Sequence, residues 1–347
     1  MVSVSAPLTA PKTPATRPLP RLVADALLSP TPAALRRWAL GGVITSALII
    51  LTGAAVRLSQ SGLGCPDWPN CTKSSLDATG ATGDPLIHRW VEFGNRLVTV
   101  AIFVIAVGVF VAAWQYRGAD GRRRRELVWL AAAQPGAIVV QAVLGGIVVI
   151  TKLNPALVSV HFLASVALVA AAVALYIRCQ EGTGDARPLV PRPVRMAAFG
   201  IVATIALMMT AGTVVTGTGP LAGAPNVARY HLPLTGVTQL HSDIGWLLAG
   251  LMAALLLGLR LAAAPRRAVR LGWLLLALIG LQGVIGYTQY FTGLPAGLVW
   301  LHVTGSVAIW VTALLLPYSL RDRGRLADAA DLPPSELPSD RVATPSG

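Results

Sequence analysis

The chain has 347 residues, of which 54% are hydrophobic and only 12% are charged, and its formal net charge is +13. This composition excludes an ordinary soluble domain and is typical of a polytopic membrane protein. The positive charges lie in short clusters between long apolar runs rather than along one face, so we expect no nucleic-acid partner.

The apolar runs predict eight transmembrane helices, because a spanning helix needs about 20 mainly apolar residues. Residues 1–37 and 319–347, which are rich in Pro and small or polar residues, are predicted to be disordered cytoplasmic tails. The predicted spans cover about residues 38–58, 87–113, 126–150, 157–178, 196–216, 234–260, 271–291 and 297–318.

The distribution of arginine predicts the orientation. Arginines accumulate before the first span, in every second connection and after the last span, whereas the alternate connections hold little beyond Lys73, Lys152 and Arg229. By the positive-inside rule the arginine-rich side faces the cytoplasm. The sequence therefore predicts a multi-pass protein of the plasma membrane with both termini in the cytoplasm.

Two of the three cysteines lie close together in the first outer connection. Cys65 and Cys71 occur in GLGCPDWPNC, on the oxidising side of the membrane, whereas Cys179 lies at the inner end of the fourth span. The outer pair can close a short disulfide or remain two free thiols, and the Gly-, Pro- and Trp-rich setting favours the disulfide. We expect Cys179 to stay a thiol.

An internal repeat relates the two halves of the chain. QAVLG (141–145) precedes HFLAS (161–165) as QGVIG (282–286) precedes HVTGS (302–306), with twenty residues from Gln to His in both cases. GAAVR (53–57) and VEFGNR (91–96) match GTVVT (212–216) and VTQLHS (237–242) more weakly. We predict an all-α fold of two parallel-repeat four-helix bundles, formed by residues 38–178 and 196–318.

Three histidines lie at matching depths in even-numbered spans. His161, His241 and His302 are each one to two turns below the outer surface, whereas His231 lies in an outer connection. A histidine inside a membrane can simply bond to a neighbouring helix, but three at one depth in a duplicated bundle favour haem ligation. His241 and His302 form the best-matched pair.

The second span carries a carboxylate among further polar residues. In LIHRWVEFGNRLV (86–98), Glu92 shares a helix face with His88 and Asn95, and Arg89 and Arg96 are three and four residues away. Glu92 either neutralises an arginine at the mouth of the bundle or takes part in proton transfer and charge stabilisation beside a reacting group. The repeat sets Asn95 opposite His241.

Together these motifs resemble the haem A synthase family, membrane enzymes that convert haem O to haem A for terminal oxidases. The similarity covers about residues 38–318 and is carried by GLGCPDWPNC, VEFGNR, QAVLGGIVV with NPALVSVH, QLH, and the closing pattern of Gln, Gly, Pro and His. It implies that the first half holds the substrate, haem O, and that the second half holds haem b between His241 and His302. Successive hydroxylations of the C8 methyl group, followed by loss of water, would give the formyl group.

The resemblance also suggests residue roles, with one departure. Glu92 matches the glutamate of the family's second helix, which is proposed to take part in that chemistry, and Cys65 and Cys71 match the paired outer cysteines found in part of the family. Family members commonly carry Glu-x-x-His-Arg where this chain has Asn95 before Arg96, and Asn is a poor ligand for haem iron.

Two alternatives follow for the substrate haem. His161 is the expected ligand, and His88 is the candidate on the opposite side, although it lies about 10 Å farther along the helix than Asn95. Otherwise His161 ligates alone and leaves the iron open.

Two rival functions remain beside the enzyme. A bis-histidine b-type cytochrome would carry electrons from quinol, and a transporter would use its histidines structurally. Glu92 and the missing fourth matched histidine favour the enzyme. The expected partners are haem O, haem O synthase, an electron partner and membrane lipid.

Overall fold

The computed structural model describes residues 18–73, 75–76, 78–79, 86–118 and 120–324. Within them the chain forms nine helices and one two-stranded antiparallel pair. The helices are α1 (Leu19–Leu28), α2 (Pro32–Leu58), α3 (Leu86–Gln115), α4 (Arg125–Ile150), α5 (Pro155–Arg178), α6 (Arg192–Thr218), α7 (Leu234–Leu261), α8 (Arg266–Phe291) and α9 (Ala296–Tyr318), and the strands are β1 (Arg187–Pro188) and β2 (Arg321–Asp322).

The prediction of an all-α protein with eight spans is confirmed. Helices α2 to α9 are each long and apolar enough to cross a membrane, and each contains one predicted span. Several helices begin a few residues earlier than the apolar run. In α2 and α5, Pro32 and Pro155 occupy the first turn, where a missing backbone N–H costs nothing, and Thr31 and Asn154 cap the helices with their side chains.

The predicted tails differ from the structure where the structure describes them. Helix α1 and the start of α2 fall within residues 1–37, and Leu27 of α1 packs against a buried cluster that includes Leu35. In the other tail, β2 pairs with β1 through Arg187 and Asp322. Burial of apolar surface and backbone pairing order these segments, which composition alone had marked as disordered. The remainder of both predicted tails lies outside the described residues.

The spans pack in two groups of four. Helices α2, α3, α4 and α5 pack in a closed ring, as do α6, α7, α8 and α9. The groups meet where α5 packs on α6 and α9, and where α2 packs on α9. The largest buried cluster crosses this contact, and within it Trp310 Nε1 donates a hydrogen bond of 2.9 Å to the Val166 carbonyl. That the groups are copies of one repeat remains a prediction.

Ion pairs connect the two groups at the end predicted to face the cytoplasm. The Arg178 guanidinium binds Glu126, with Nη2–Oε distances of 2.6 and 2.7 Å, and also pairs with Glu181. Glu181 in turn accepts from Arg321, which follows α9, at 2.8 and 3.0 Å. The sequence predicted these arginines only as markers of orientation, whereas the structure shows that some of them also join separate connections.

Candidate functional site

Two histidine rings face each other inside the second helix group. His241 of α7 and His302 of α9 have ring centroids 6.2 Å apart, with ring planes at 62°. Two metal–nitrogen bonds of about 2 Å, added to the radii of two imidazole rings, give a centroid separation of roughly 6 Å. The separation therefore leaves room for one iron between the two rings; that His241 and His302 bind a haem iron stays a prediction.

Glycines on the adjacent helices support both rings. A methyl group added to Gly212 of α6 would lie 3.3 Å from Cε1 of His241, and one added to Gly286 of α8 would lie 3.3 Å from Cε1 of His302. Both contacts are closer than most side chains tolerate. Glycine at these positions lets each helix backbone approach the edge of an imidazole and limit its rotation.

Two of the histidines each accept a backbone hydrogen bond from a glutamine on the preceding helix. Gln282 Nε2 donates a hydrogen bond of 2.6 Å to the His302 carbonyl, and Gln141 Nε2 donates one of 3.1 Å to the His161 carbonyl. These contacts explain the spacing of twenty residues from Gln to His in the sequence. Gln141 also donates to the Ser165 hydroxyl, so it fixes α5 at two points.

The Nδ1 atoms of the three site histidines are buried. Nδ1 of His161, His241 and His302 makes no hydrogen bond of normal geometry within the described residues, although the Met208 carbonyl lies near the His241 ring. No group of three His, Cys, Asp or Glu side chains there is placed to hold a bare metal ion. Neutral imidazoles in opposed pairs suit haem iron, so these residues fit a haem rather than a metal ion held by the protein alone.

The first helix group matches the second on one side only. His161 lies against Gly145 as His302 lies against Gly286, with the added methyl 3.4 Å from Cε1. On the other side, where the second group has His241, the predicted repeat places Asn95 of α3. The Oδ1 atom of Asn95 is buried and makes no hydrogen bond within the described residues.

The structure places His88 in a polar contact with the first outer connection. Its Nδ1 lies 2.8 Å from Ser61 Oγ, and Ser61 Oγ lies 2.8 Å from Ser59 Oγ. The backbone of His88 packs against Gly64, where a methyl group would come within 2.6 Å of the His88 carbonyl carbon. Ser61 was not singled out from the sequence. The prediction that His88 ligates the substrate haem stays a prediction.

Glu92 is buried and engages both carboxylate oxygens. Oε1 pairs with Arg96 Nη2 at 2.7 Å, and Oε2 accepts a hydrogen bond of 2.8 Å from the Cys65 backbone N–H. Arg89, on the preceding turn, is also buried. The carboxylate thus stands at the mouth of the first helix group, where it can hold a negative charge or exchange a proton, and it also ties α3 to the first outer connection.

Arg96 organises that outer connection. Its guanidinium donates to the backbone carbonyls of Cys65, Asp67, Pro69 and Asn70 over 3.0–3.2 Å. Cys65 and Cys71 are joined by a disulfide and are fully buried. The sequence predicted Arg96 only as a charge partner of Glu92. Its role in anchoring the loop was missed because bonds to backbone carbonyls leave no residue-type signal in the partner segment.

The disulfide loop also covers part of the first helix group. The Trp68 ring packs on Gly146 of α4, where an added methyl would lie 2.7 Å from Cε2. Lys152 Nζ donates to the Pro66 carbonyl at 3.4 Å. His231, the histidine of the other long outer connection, is exposed.

The sequence profile of the family described as cytochrome oxidase assembly protein, COX15-CtaA, matches residues 36–314. The chain belongs to this family. The matched region reaches all eight spans and includes every residue of the candidate site, and it confirms the resemblance to haem A synthases.

Individual relatives match over shorter segments. A Heme A synthase of Geobacillus thermodenitrificans is 35% identical over 137 residues, which cover 38% of this chain and 40% of that protein. A Heme A synthase of Lysinibacillus sphaericus is 33% identical over 129 residues, which cover 37% of this chain and 39% of that protein. The chain thus spans about two fifths of the length of the curated relatives that it matches.

Proposed function

We propose that this protein is a haem A synthase, which oxidises the C8 methyl group of haem O to a formyl group by successive hydroxylations and loss of water. One observation carries the proposal. A helix group with two opposed histidines, His241 and His302, stands beside a group with one such histidine, His161, and a buried carboxylate, Glu92. Two opposed histidines suit an electron-transfer haem, and a single histidine with a carboxylate in the same helix group suits a reaction site.

His241 and His302 would hold haem b in the second group. When bound, that haem supplies one-electron transfer between the reaction site and an external partner. The chain contributes the positioning, because Gly212 and Gly286 limit rotation of the rings and Gln282 fixes the backbone of His302. This preorganisation keeps both imidazoles at the separation that one iron requires.

Haem O would bind in the first group on His161, with Glu92 as the catalytic residue. A carboxylate there can stabilise positive charge that develops on the substrate during oxidation of the methyl group, or accept the proton that the reaction releases. Arg96 and the Cys65 N–H hold its two oxygens in place. The disulfide loop above it shields part of this group from water. Haem O synthase is the proposed source of the substrate.

The decisive experiment is expression of the full chain in cells that make haem O, followed by mass analysis of the extracted pigments. We expect haem A or its hydroxylated intermediate. Bound haem b without either product, in cells able to supply electrons, would instead identify a b-type cytochrome that carries electrons from quinol. Purified protein without any haem spectrum would favour a transporter.

Ligand variants assign the two helix groups. His241→Ala and His302→Ala should each remove the low-spin signal of the resident haem, since either change leaves the iron with one histidine. The exposed His231→Ala is the matched control and should keep that signal. Retention of the low-spin signal in both ligand variants would refute the assignment of haem b to this pair.

A further inference from the structure

His161 in the first helix group and His302 in the second have the same kind of surroundings, whereas the residue on the opposite side differs between the groups. His161 and His302 lie 3.4 and 3.3 Å from the methyl positions of Gly145 and Gly286, and each backbone carbonyl accepts from a glutamine. One side of the two sites is therefore built in the same way. The opposite side carries an imidazole in the second group and the shorter amide of Asn95 in the first.

The surroundings of the neighbouring glycine also differ between the two groups. A methyl group added to Gly212 would lie 3.3 Å from the His241 ring, whereas one added to Gly53, its counterpart in the repeat, would meet no atom within 4 Å. Gly53 thus lacks the close contact that Gly212 makes with an imidazole. Asn95 Oδ1 is also buried without a hydrogen-bond partner in the described part of the chain, and a buried amide normally has one.

His88 is not placed to take over the opposite position. Its Nδ1 is engaged by Ser61 Oγ at 2.8 Å, and its backbone packs against Gly64. Along α3 it lies about 10 Å from Asn95 at a rise of about 1.5 Å per residue. The Ser61 contact leaves Nε2 of His88 free, so it is the displacement along α3 that separates His88 from the position of Asn95 and favours the second of the two alternatives for the substrate haem.

We propose that the first helix group holds iron through His161 alone, and that Gly53 and Asn95 line a site for a small neutral ligand on the other side of that iron. The inference rests on the proposed function only in that a haem must bind in this group. The ligand class is a molecule of two or three atoms that binds iron and exchanges a hydrogen bond with the amide. Rotation of the amide lets either its oxygen or its nitrogen face the ligand.

This arrangement gives the second helix group electron transfer and the first group the binding of a small ligand. A six-coordinate bis-histidine iron passes electrons but admits no further ligand, whereas a five-coordinate iron can bind one. Asn95 is then a positioning residue for whatever small molecule enters on that side. An imidazole at position 95 would close the site.

The test uses the purified full chain loaded with haemin, and carbon monoxide as the probe of the reduced protein. The variants are Asn95→His, His241→Asn and His88→Ala. In the unchanged protein we expect one low-spin haem that does not bind carbon monoxide and one high-spin haem that binds it. Asn95→His should abolish carbon monoxide binding and add a second low-spin signal. His241→Asn should make both haems reactive, and His88→Ala should change neither spectrum.

Two results would overturn the inference. One is a fully loaded unchanged protein in which neither haem binds carbon monoxide. The other is a gain of carbon monoxide binding in His88→Ala, which would make His88 the missing ligand. Both comparisons use protein without a new side chain in the core, so they decide the matter even if Asn95→His does not fold. Because the readout is spectral, a protein that binds haem as described but makes no haem A would refute the proposed function and leave this inference standing.

Discussion

Arg96 and Glu92 form an ion pair of 2.7 Å one turn apart on α3, and the same guanidinium donates to four backbone carbonyls of the disulfide loop. The candidate catalytic carboxylate is therefore part of the structure that holds the loop. Removal of the Glu92 side chain would change both the chemistry and the loop anchoring. The two effects can be separated by the choice of substitution.

Glu92→Gln should lower haem A formation by about a hundredfold or more, because an amide neither carries the negative charge nor accepts a proton. The amide can still accept the hydrogen bond from the Cys65 N–H, so the loop should stay anchored. The spectrum of the resident haem should persist, because that haem is proposed to bind in the other helix group. Pigment analysis and absorption spectra measure the two effects. Arg96→Ala is the matched control for loop anchoring, and full turnover in Glu92→Gln would show that the carboxylate serves only as the arginine's partner.

Gly286→Ala should reduce the low-spin haem content of the second helix group, because its methyl group would lie 3.3 Å from His302 Cε1. Gly283→Ala on the same helix meets no atom within 4 Å and provides the control. Replacing glycine by alanine in a helix stabilises it by roughly 0.5–1 kcal/mol, so both variants gain the same backbone term. Equal haem content in the two variants would mean that the glycine does not position the ring.

Glu181→Gln should destabilise the protein by about 3 kcal/mol, because it leaves Arg178 and Arg321 without their shared carboxylate in a largely buried setting. Thermal denaturation of the full chain in detergent measures the loss. Asp185→Asn removes an exposed carboxylate of the same connection and is expected to have little effect. A similar loss in both variants would assign the effect to net charge rather than to the ion pairs.

Cys179 should resist maleimide in the folded protein and react once the protein is denatured. It is fully buried just beyond α5, and this burial raises the pKa of its thiol to about 12 from an ordinary value of 9.0. Between pH 9 and about pH 12 the Cys179 thiol therefore keeps its proton in the folded state and loses it in the unfolded state. The thiol's contribution to stability is complete below pH 9 and is lost as the pH rises towards 12. Rapid labelling of the folded protein at neutral pH would contradict this placement.

The spans and the proximity of His241 and His302 were predictable because each leaves a local or periodic signal, whereas haem ligation by this pair stays a prediction. Apolar runs of spanning length predicted all eight helices, and His241 and His302 lie in the sixth and eighth of these spans, both in the second predicted group. The tails were harder, since α1 is ordered by contacts of Leu27 with residues of the bundle, and no property of residues 19–28 alone reveals those contacts.

The roles of Arg96, Ser61 and Glu181 were not predictable in the same way. Arg96 binds carbonyl groups, which every residue carries, and Ser61 contacts His88, which lies 27 residues later in the chain. Glu181 joins arginines that are far apart in sequence, with Arg321 lying 140 residues away. Such contacts depend on how the connections fold over the ends of the helices.

By itself the sequence determined that the chain crosses the membrane eight times and predicted that His161, His241 and His302 lie at one depth, because hydrophobicity and helical periodicity are properties of local segments. It also determined that position 95 carries an amide where the second half carries an imidazole. Only the tertiary structure decided that His241 and His302 face each other at 6.2 Å, that His88 turns to Ser61, and that Glu92 bonds to the loop. These contacts could be learned only from the tertiary structure, because packing between segments distant in sequence determines which side chains meet.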